Sequence, residues 1–248
     1  MHWESQLHRH WGLMVLLVWV LTASSGCRTS SSYNADGVQQ FQNGQYQSAV
    51  DQFQQAIAAN PNDSDAYYNL AATLHDWGRR SQNDELLEQS ESLYHRCLDL
   101  SGDHVDCYRA LAVLLVDTDR KQDAFTLLER WAQRSPGASA PHVELARLHE
   151  EYGDDQSARQ YLARALDVDS ADSRAWAAMG RLREREGRLA QALTDYQQAY
   201  GLNRYHPGVP ERIASLRQQI ARVPTRPISG SNGTRVTRNT SKWVPATR

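Results

Sequence analysis

The sequence lacks the short signatures by which many enzymes are recognised. It holds no His-Glu-x2-His pair for zinc, no phosphate-binding glycine loop and no Gly-x-Ser-x-Gly elbow. No catalytic residue and no cofactor is therefore assigned. An excess of charge of one sign is nearly missing as well. A net charge of −2 over 248 residues gives the whole molecule no electrostatic reason to bind nucleic acid. Long hydrophobic runs are scarce. The longest covers residues 11–20, extended by Leu21 and Ala23, and is shorter than the roughly 20 residues of a membrane span. Cysteine is sparse too, with Cys27, Cys97 and Cys107 alone.

That hydrophobic run follows Arg9 and leads into the small residues Ser24, Ser25 and Gly26. The order fits a signal peptide over 1–26. Ser25-Gly26-Cys27 resembles the lipidation box of bacterial lipoproteins at its last three positions, with Ser24 departing where that family usually has leucine. The resemblance implies lipidation at Cys27, a short linker over 27–32 and a membrane anchor, since each buried methylene contributes about 0.8 kcal/mol. Ordinary cleavage near Ser25 stays open, because Ala23 and Ser25 are also small. Arg28 stands where an aspartate would retain a lipoprotein at the inner membrane, so the expectation is the periplasmic face of a bacterial outer membrane.

The body of the chain repeats. A 34-residue grid set on Pro61 and Pro136 divides it into 30–63, 64–104, 105–138, 139–172 and 173–206. Small residues recur at fixed places on this grid, as in Ala49 and Ala56, Ala158 and Ala165, and Ala192 and Ala199. Large residues recur between them, as in Phe53, Leu128, Leu162 and Tyr196, and Gly44, Gly153 and Gly187 mark turns. Spacings of three and four put each set on one helix face. The second repeat is seven residues too long, and Gly78 is read as its turn. The surplus is expected in a longer second helix or in a longer loop at 79–84.

This pattern, and Trp176-x2-Met179-Gly180 in particular, resembles the tetratricopeptide (TPR) family over residues 30–206. The resemblance implies an all-α superhelix, an α-solenoid of about five helical hairpins that binds protein partners in a concave groove. Ile213, Leu216 and Ile220 fall at spacings of three and four, so 207–221 reads as a capping helix over the last exposed face. Residues 222–248 hold six basic residues and no acidic one, and read as a disordered basic tail. The body over 27–221 consequently carries −8.

By this resemblance the groove is lined by the first helix of each hairpin. Phe41 and Tyr68 are its candidate aromatic anchors. Arg109 follows, and Arg147, Arg174, Arg181 and Arg185 gather toward the C-terminal end, where an acidic partner segment would fit. Local pairing, Glu151 with Arg147 and Glu184 with Arg181, is the competing reading. One TPR subclass grips a C-terminal carboxylate through Lys, Asn and Arg. Asn69 matches, but Asn34, Asp106 and Ala110 stand where cations are needed, which argues against that use. His142 and His149 share a face at packing positions and are not read as metal ligands. Cys97 and Cys107 flank the turn between repeats two and three, and an exported chain permits a disulfide there. The expected function is a membrane-tethered scaffold in the cell envelope, not an enzyme. A soluble exported adaptor, or a module binding an anionic envelope polymer through the tail, is the alternative.

Overall fold

A computed structural model describes residues 29–222; the expected signal peptide over 1–26, Cys27 and the expected basic tail beyond Arg222 lie outside the described residues. Eleven helices and no strand are found among them, in the order α1 (Ser30–Gln42), α2 (Tyr46–Ala59), α3 (Ser64–Ser81), α4 (Asp84–Leu100), α5 (Val105–Asp117), α6 (Lys121–Arg134), α7 (Ala140–Glu151), α8 (Asp155–Val168), α9 (Ser173–Arg185), α10 (Leu189–Leu202) and α11 (Val209–Arg222). The first ten form five antiparallel hairpins stacked in sequence order, and α11 packs on the last.

Local chemistry sets the breaks. The Asp63, Asn83, Asp154 and Asp172 side chains each accept a backbone N–H of the helix that follows, satisfying donors the helix itself cannot. Within each hairpin the turn needs one left-handed residue. Gly44, Gly153 and Gly187 supply it at φ of 74°, 75° and 75°, where glycine carries no Cβ penalty. Gln82 and Asp119 take the same role in the second and third hairpins, at φ of 51° and 59°.

Gln82 rather than Gly78 therefore makes the second turn. The seven surplus residues do not lengthen the loop. The turn falls four residues late on α3, and α4 gains the other three before Cys97. About one extra turn on each antiparallel helix adds roughly 6 Å and 4.5 Å, so the hairpin still closes. Gly78 sits inside α3, where a Cβ would meet Leu87 and Leu86 at 3.0 and 3.1 Å. The same shift puts Ser90 where the other second helices carry Ala49, Ala124, Ala158 and Ala192. Its buried hydroxyl donates to the Ala71 carbonyl at 2.8 Å.

The core is a row of seams rather than one centre. Phe53, Tyr94, Leu128, Leu162 and Tyr196 fill successive hairpins, each at most 1% exposed. Val209, Ile213 and Leu216 of α11 close the row against Tyr196 and Ala199, while Ile220 is only half-buried. The closest approach is at Gly37, where a Cβ would stand 2.5 Å from the buried Phe53 ring. Alanine at an interior helix position normally gains ~1 kcal/mol over glycine, but overpacking costs ~1–3 kcal/mol. Gly37→Ala is expected to lower the unfolding free energy by ~1–2 kcal/mol, read as a lower urea midpoint at unchanged m-value; a rise would mean that the ring has room to move.

Candidate protein-binding groove

The first helices of the first three hairpins enclose a trough. One hollow of about 400 Å³ runs between α1 and α3, with Val38 and Ala35 on one wall and Asp63, Asp65 and Tyr68 on the other. A second of about 290 Å³ continues between α3 and α5 over Ala72, Ala110 and Val113. Tyr68 and Asp106 line both, so the two hollows adjoin along one trough. Tyr68 stands at its centre, its ring 5.2 Å from that of His104 and 6.3 Å from that of Tyr94. Burial pushes its phenol pKa up.

Five carboxylates border the trough: Asp63, Asp65, Asp76, Asp106 and Asp117, against the guanidiniums of Arg79 and Arg109 alone. Asp63 caps α3 and accepts hydrogen bonds from Ser30 and Asn34. Asp76 accepts from Tyr46 Oη at 2.6 Å and from Arg80 at 2.8 Å. Burial works against its ionisation, but these bonds prevail and hold its carboxyl below the usual range. His75 donates to Asp117 at 3.1 Å. Its burial outweighs that carboxylate and lowers its pKa, so the ring stays neutral.

His104 has two competing demands. Its Nε2 donates to Asp65 at 3.0 Å, while its Nδ1 accepts the Cys107 backbone N–H at 3.1 Å and caps α5. The neighbouring Cys97, and then Asp65, draw its pKa up to about 9. The capping bond opposes this, because it forms only while Nδ1 is bare, so protonation of the ring would release the cap of α5.

The arginine end of the groove differs from the sequence expectation. Glu144, with its side chain 2% exposed, holds both Arg109 at 2.7 Å and Arg147 at 3.2 Å. Arg147 also pairs with Glu151, Arg174 with Asp172, and Arg185 with Glu150 and Asp155. Glu184 turns instead to Tyr196 and Arg212. Arg181 lies near Glu150 and forms no ion pair among the described residues. Partners on the chain itself thus neutralise the arginine cluster, leaving no basic patch for an acidic segment. Residues 29–104 contain eleven acidic and three basic residues, and residues 105–222 contain seventeen of each. The whole negative excess sits in the first two hairpins.

Phe41 lines neither hollow. It packs edge-on against Tyr46 at 6.0 Å, and Tyr46 stacks on Trp77, also at 6.0 Å. Asn69 donates to Asn34 Oδ1 at 3.3 Å, so the one residue matching the carboxylate clamp is already engaged. His142 and His149 both lie against the Tyr161 ring. Among the described residues no group of His, Cys, Asp and Glu is arranged to hold a metal ion. Cys97 and Cys107 are free thiols in this structure, both fully buried, and Cys107 Sγ donates to the Tyr94 carbonyl at 3.2 Å.

Family models agree with this architecture. One described as TPR repeat matches residues 37–78, and two described as tetratricopeptide repeat match 122–182 and 173–206. The chain belongs to the tetratricopeptide-repeat family. Among solved structures it resembles a thermophilic TPR protein of Thermus thermophilus, with 22% identity and a TM-score of 0.56 over 76% of this chain and 99% of that one. It also resembles a TPR protein of Parabacteroides merdae, with 14% identity and a TM-score of 0.58 over 85% of this chain and 80% of that one. At such identities the likeness concerns the fold. No curated protein matches the chain. TPR repeats are protein-interaction scaffolds, and that is the class the repeats define.

Two outcomes test this electrostatic arrangement. Glu144→Gln removes the charge that two guanidiniums share. Because both arginines are about a third exposed, the expected loss is ~2 kcal/mol, below the 3–5 of a fully buried pair. His75 has a folded-state pKa below its unfolded value near 6.5. The unfolded chain therefore takes up a proton that the folded chain resists, and stability falls as pH drops through about 6.5. His75→Gln should flatten that part of the curve in urea titrations between pH 7 and 5, whereas an unchanged slope would assign it to other groups.

Proposed function

We propose that this chain is an exported TPR adaptor, anchored by a lipid on Cys27 in a bacterial cell envelope, whose acidic trough grips an extended, basic segment of a partner protein and so helps assemble an envelope complex. The observation that supports the binding mode is the trough itself. A central half-buried tyrosine stands among five carboxylates, with only two guanidiniums on the walls. A lysine or arginine side chain would lie over the Tyr68 ring, a cation–π contact of about 0.5–2 kcal/mol, with Asp65 or Asp106 in reach of its charge. The apolar floor at Val38, Ala72 and Val113 suits the methylene stems of such side chains. An extended segment crossing α1, α3 and α5 would meet three hairpins at once. Support for the tether is the Ser25-Gly26-Cys27 box behind a signal-like run.

Two measurements test the two halves separately. A peptide of alternating lysine and small apolar residues should bind the full chain at least tenfold more tightly than its glutamate counterpart at low salt. That preference should shrink as ionic strength rises past ~0.15 M. Tyr68→Ala and the pair Asp65→Asn with Asp106→Asn should each weaken binding by about tenfold, ~1.4 kcal/mol; equal affinity for both peptides would end the acidic-trough reading. For the tether, mass spectrometry of the chain from solubilised membranes should show acyl mass on a peptide starting at Cys27. An unmodified chain in the soluble fraction would leave a soluble exported adaptor.

A further inference from the structure

The joint between the second and third hairpins carries a chemistry that the other joints lack. At each joint a residue in the last turns of one hairpin's second helix is matched by one ten positions later, in the first turn of the next hairpin. At the first joint these are Ala56 and Ala66, and at the fourth Ala165 and Ala175, all four 0% exposed. Ala165 and Ala175 belong to one apolar cluster. The corresponding pair at the second joint is Cys97 and Cys107, also 0% exposed and within one cluster. The same register thus puts two buried cysteines of one cluster where the first and fourth joints carry two methyl groups.

Facing alanines in a close-packed seam bring their Cβ atoms to ~4 Å, within the ~3.5–4.5 Å that a disulfide needs between its own Cβ atoms. Each cysteine adds a sulfur beyond the methyl. As thiols both are buried, and Cys107 donates its proton to the Tyr94 carbonyl at 3.2 Å. Each thiol shifts the ionisation of the other, as neighbours do.

We infer that Cys97 and Cys107 are a disulfide-forming pair, a modification site whose co-reactant is a disulfide donor of the glutathione type. The Cys97 thiol loses its proton, and its sulfur attacks one sulfur of the donor. That forms a mixed disulfide and expels the first donor thiolate. The Cys107 thiol, deprotonated in turn, attacks the Cys97 sulfur and expels the second. The chain loses two electrons and two protons, and the donor becomes two thiols. Both sulfurs are fully buried once α5 packs on α4, so the exchange takes place while that joint is open during folding. The bond ties α4 to α5 directly behind the trough, because Tyr94, whose carbonyl accepts the Cys107 hydrogen bond, also lines the hollow under Tyr68.

The test uses the full chain with Cys27→Ser, refolded with and without oxidised glutathione. With the donor, the chain should lose about 2 Da. Cys97 and Cys107 should then resist alkylation in denaturant until a reductant is added, and the urea midpoint should exceed that of the reduced chain. Cys97→Ala with Cys107→Ala recreates the alanine seam of the first and fourth joints, so this variant should fold with the same helical content and show no response to the donor. The titration of His104 gives a second readout: removing the Cys97 thiol from beside its ring should lower its pKa in the oxidised chain. Two freely alkylated cysteines after refolding with donor, in a chain of native helical content, would overturn the inference. So would a disulfide that forms and lowers the midpoint, since the seam would then not fit the bond.

Discussion

The closeness of helix approach at a few small residues is the constraint on which the rest of this molecule depends. Gly37 lets the Phe53 ring lie against the α1 backbone, and Gly180 gives Tyr196 the same access to α9 at 3.1 Å. Ala56, Ala66, Ala165 and Ala175 let one hairpin meet the next without a gap. A hairpin cannot bury its apolar face alone, so each contact of this kind adds one unit to a one-dimensional stack. The third joint departs from the rule. Trp131 takes the place of alanine there and stacks on Tyr108 at 4.2 Å and 8°, with Arg134 bonded to the Tyr108 hydroxyl. The large flat ring lies parallel to Tyr108 of its own hairpin, which gives it a stacking partner there.

Stacking first helices side by side also decides what their charges can do. Residues on neighbouring hairpins come within ion-pair distance, so a charge that looks free along one helix finds a partner on the next. Arg109 reaches across to Glu144, thirty-five residues away in sequence, and Arg185 reaches Glu150 and Asp155. At the C-terminal end acids and bases are equal in number and cancel locally. The first two hairpins have too few cations to match all their acids, although Asp76 pairs with Arg79 and Arg80 and, on the next hairpin, Asp106 pairs with Arg109. The groove's polarity is therefore a property of the count of acids and bases per hairpin more than of any single residue.

This separates what was legible in the sequence from what was not. Period and small-residue spacing are properties of single helices, so the five hairpins, the cap and the core residues Phe53, Leu128, Leu162 and Tyr196 could be read directly. Tyr68 could be placed on the groove because it needs only its position on α3. Pairing between hairpins depends on side-chain reach across a joint, which no spacing within one helix reveals. That is why the partners of Arg109 and Arg185 on other hairpins were not foreseen and why Glu144, the anion between two arginines, was passed over, whereas the pair of Arg147 with Glu151 on one helix could be read as the competing possibility. The turn at Gln82 was missed for a related reason. Glycine is the usual sign of a left-handed residue, and here the glycine lies four residues earlier, inside the helix. Ser90 would have been found by carrying the seven-residue offset through α4, since it falls where every other hairpin has alanine.

The longer second hairpin also explains the fate of Phe41. The extension of α3 begins at Trp77, the first residue beyond the length of the other first helices. Trp77 lies flat on Tyr46, and Tyr46 in turn donates its hydroxyl to Asp76. Phe41 closes the edge of this ladder. The extra turn therefore reaches back over the turn of the first hairpin and gives its aromatic residues something to pack against. A terminal repeat has a neighbour on one side only and needs such cover. Phe41 serves that cover, and the hollows are lined by Tyr68 and Tyr94 instead. The insertion that disturbs the repeat grid and the absence of Phe41 from the hollows are then two consequences of one packing requirement at the N-terminal end of the stack.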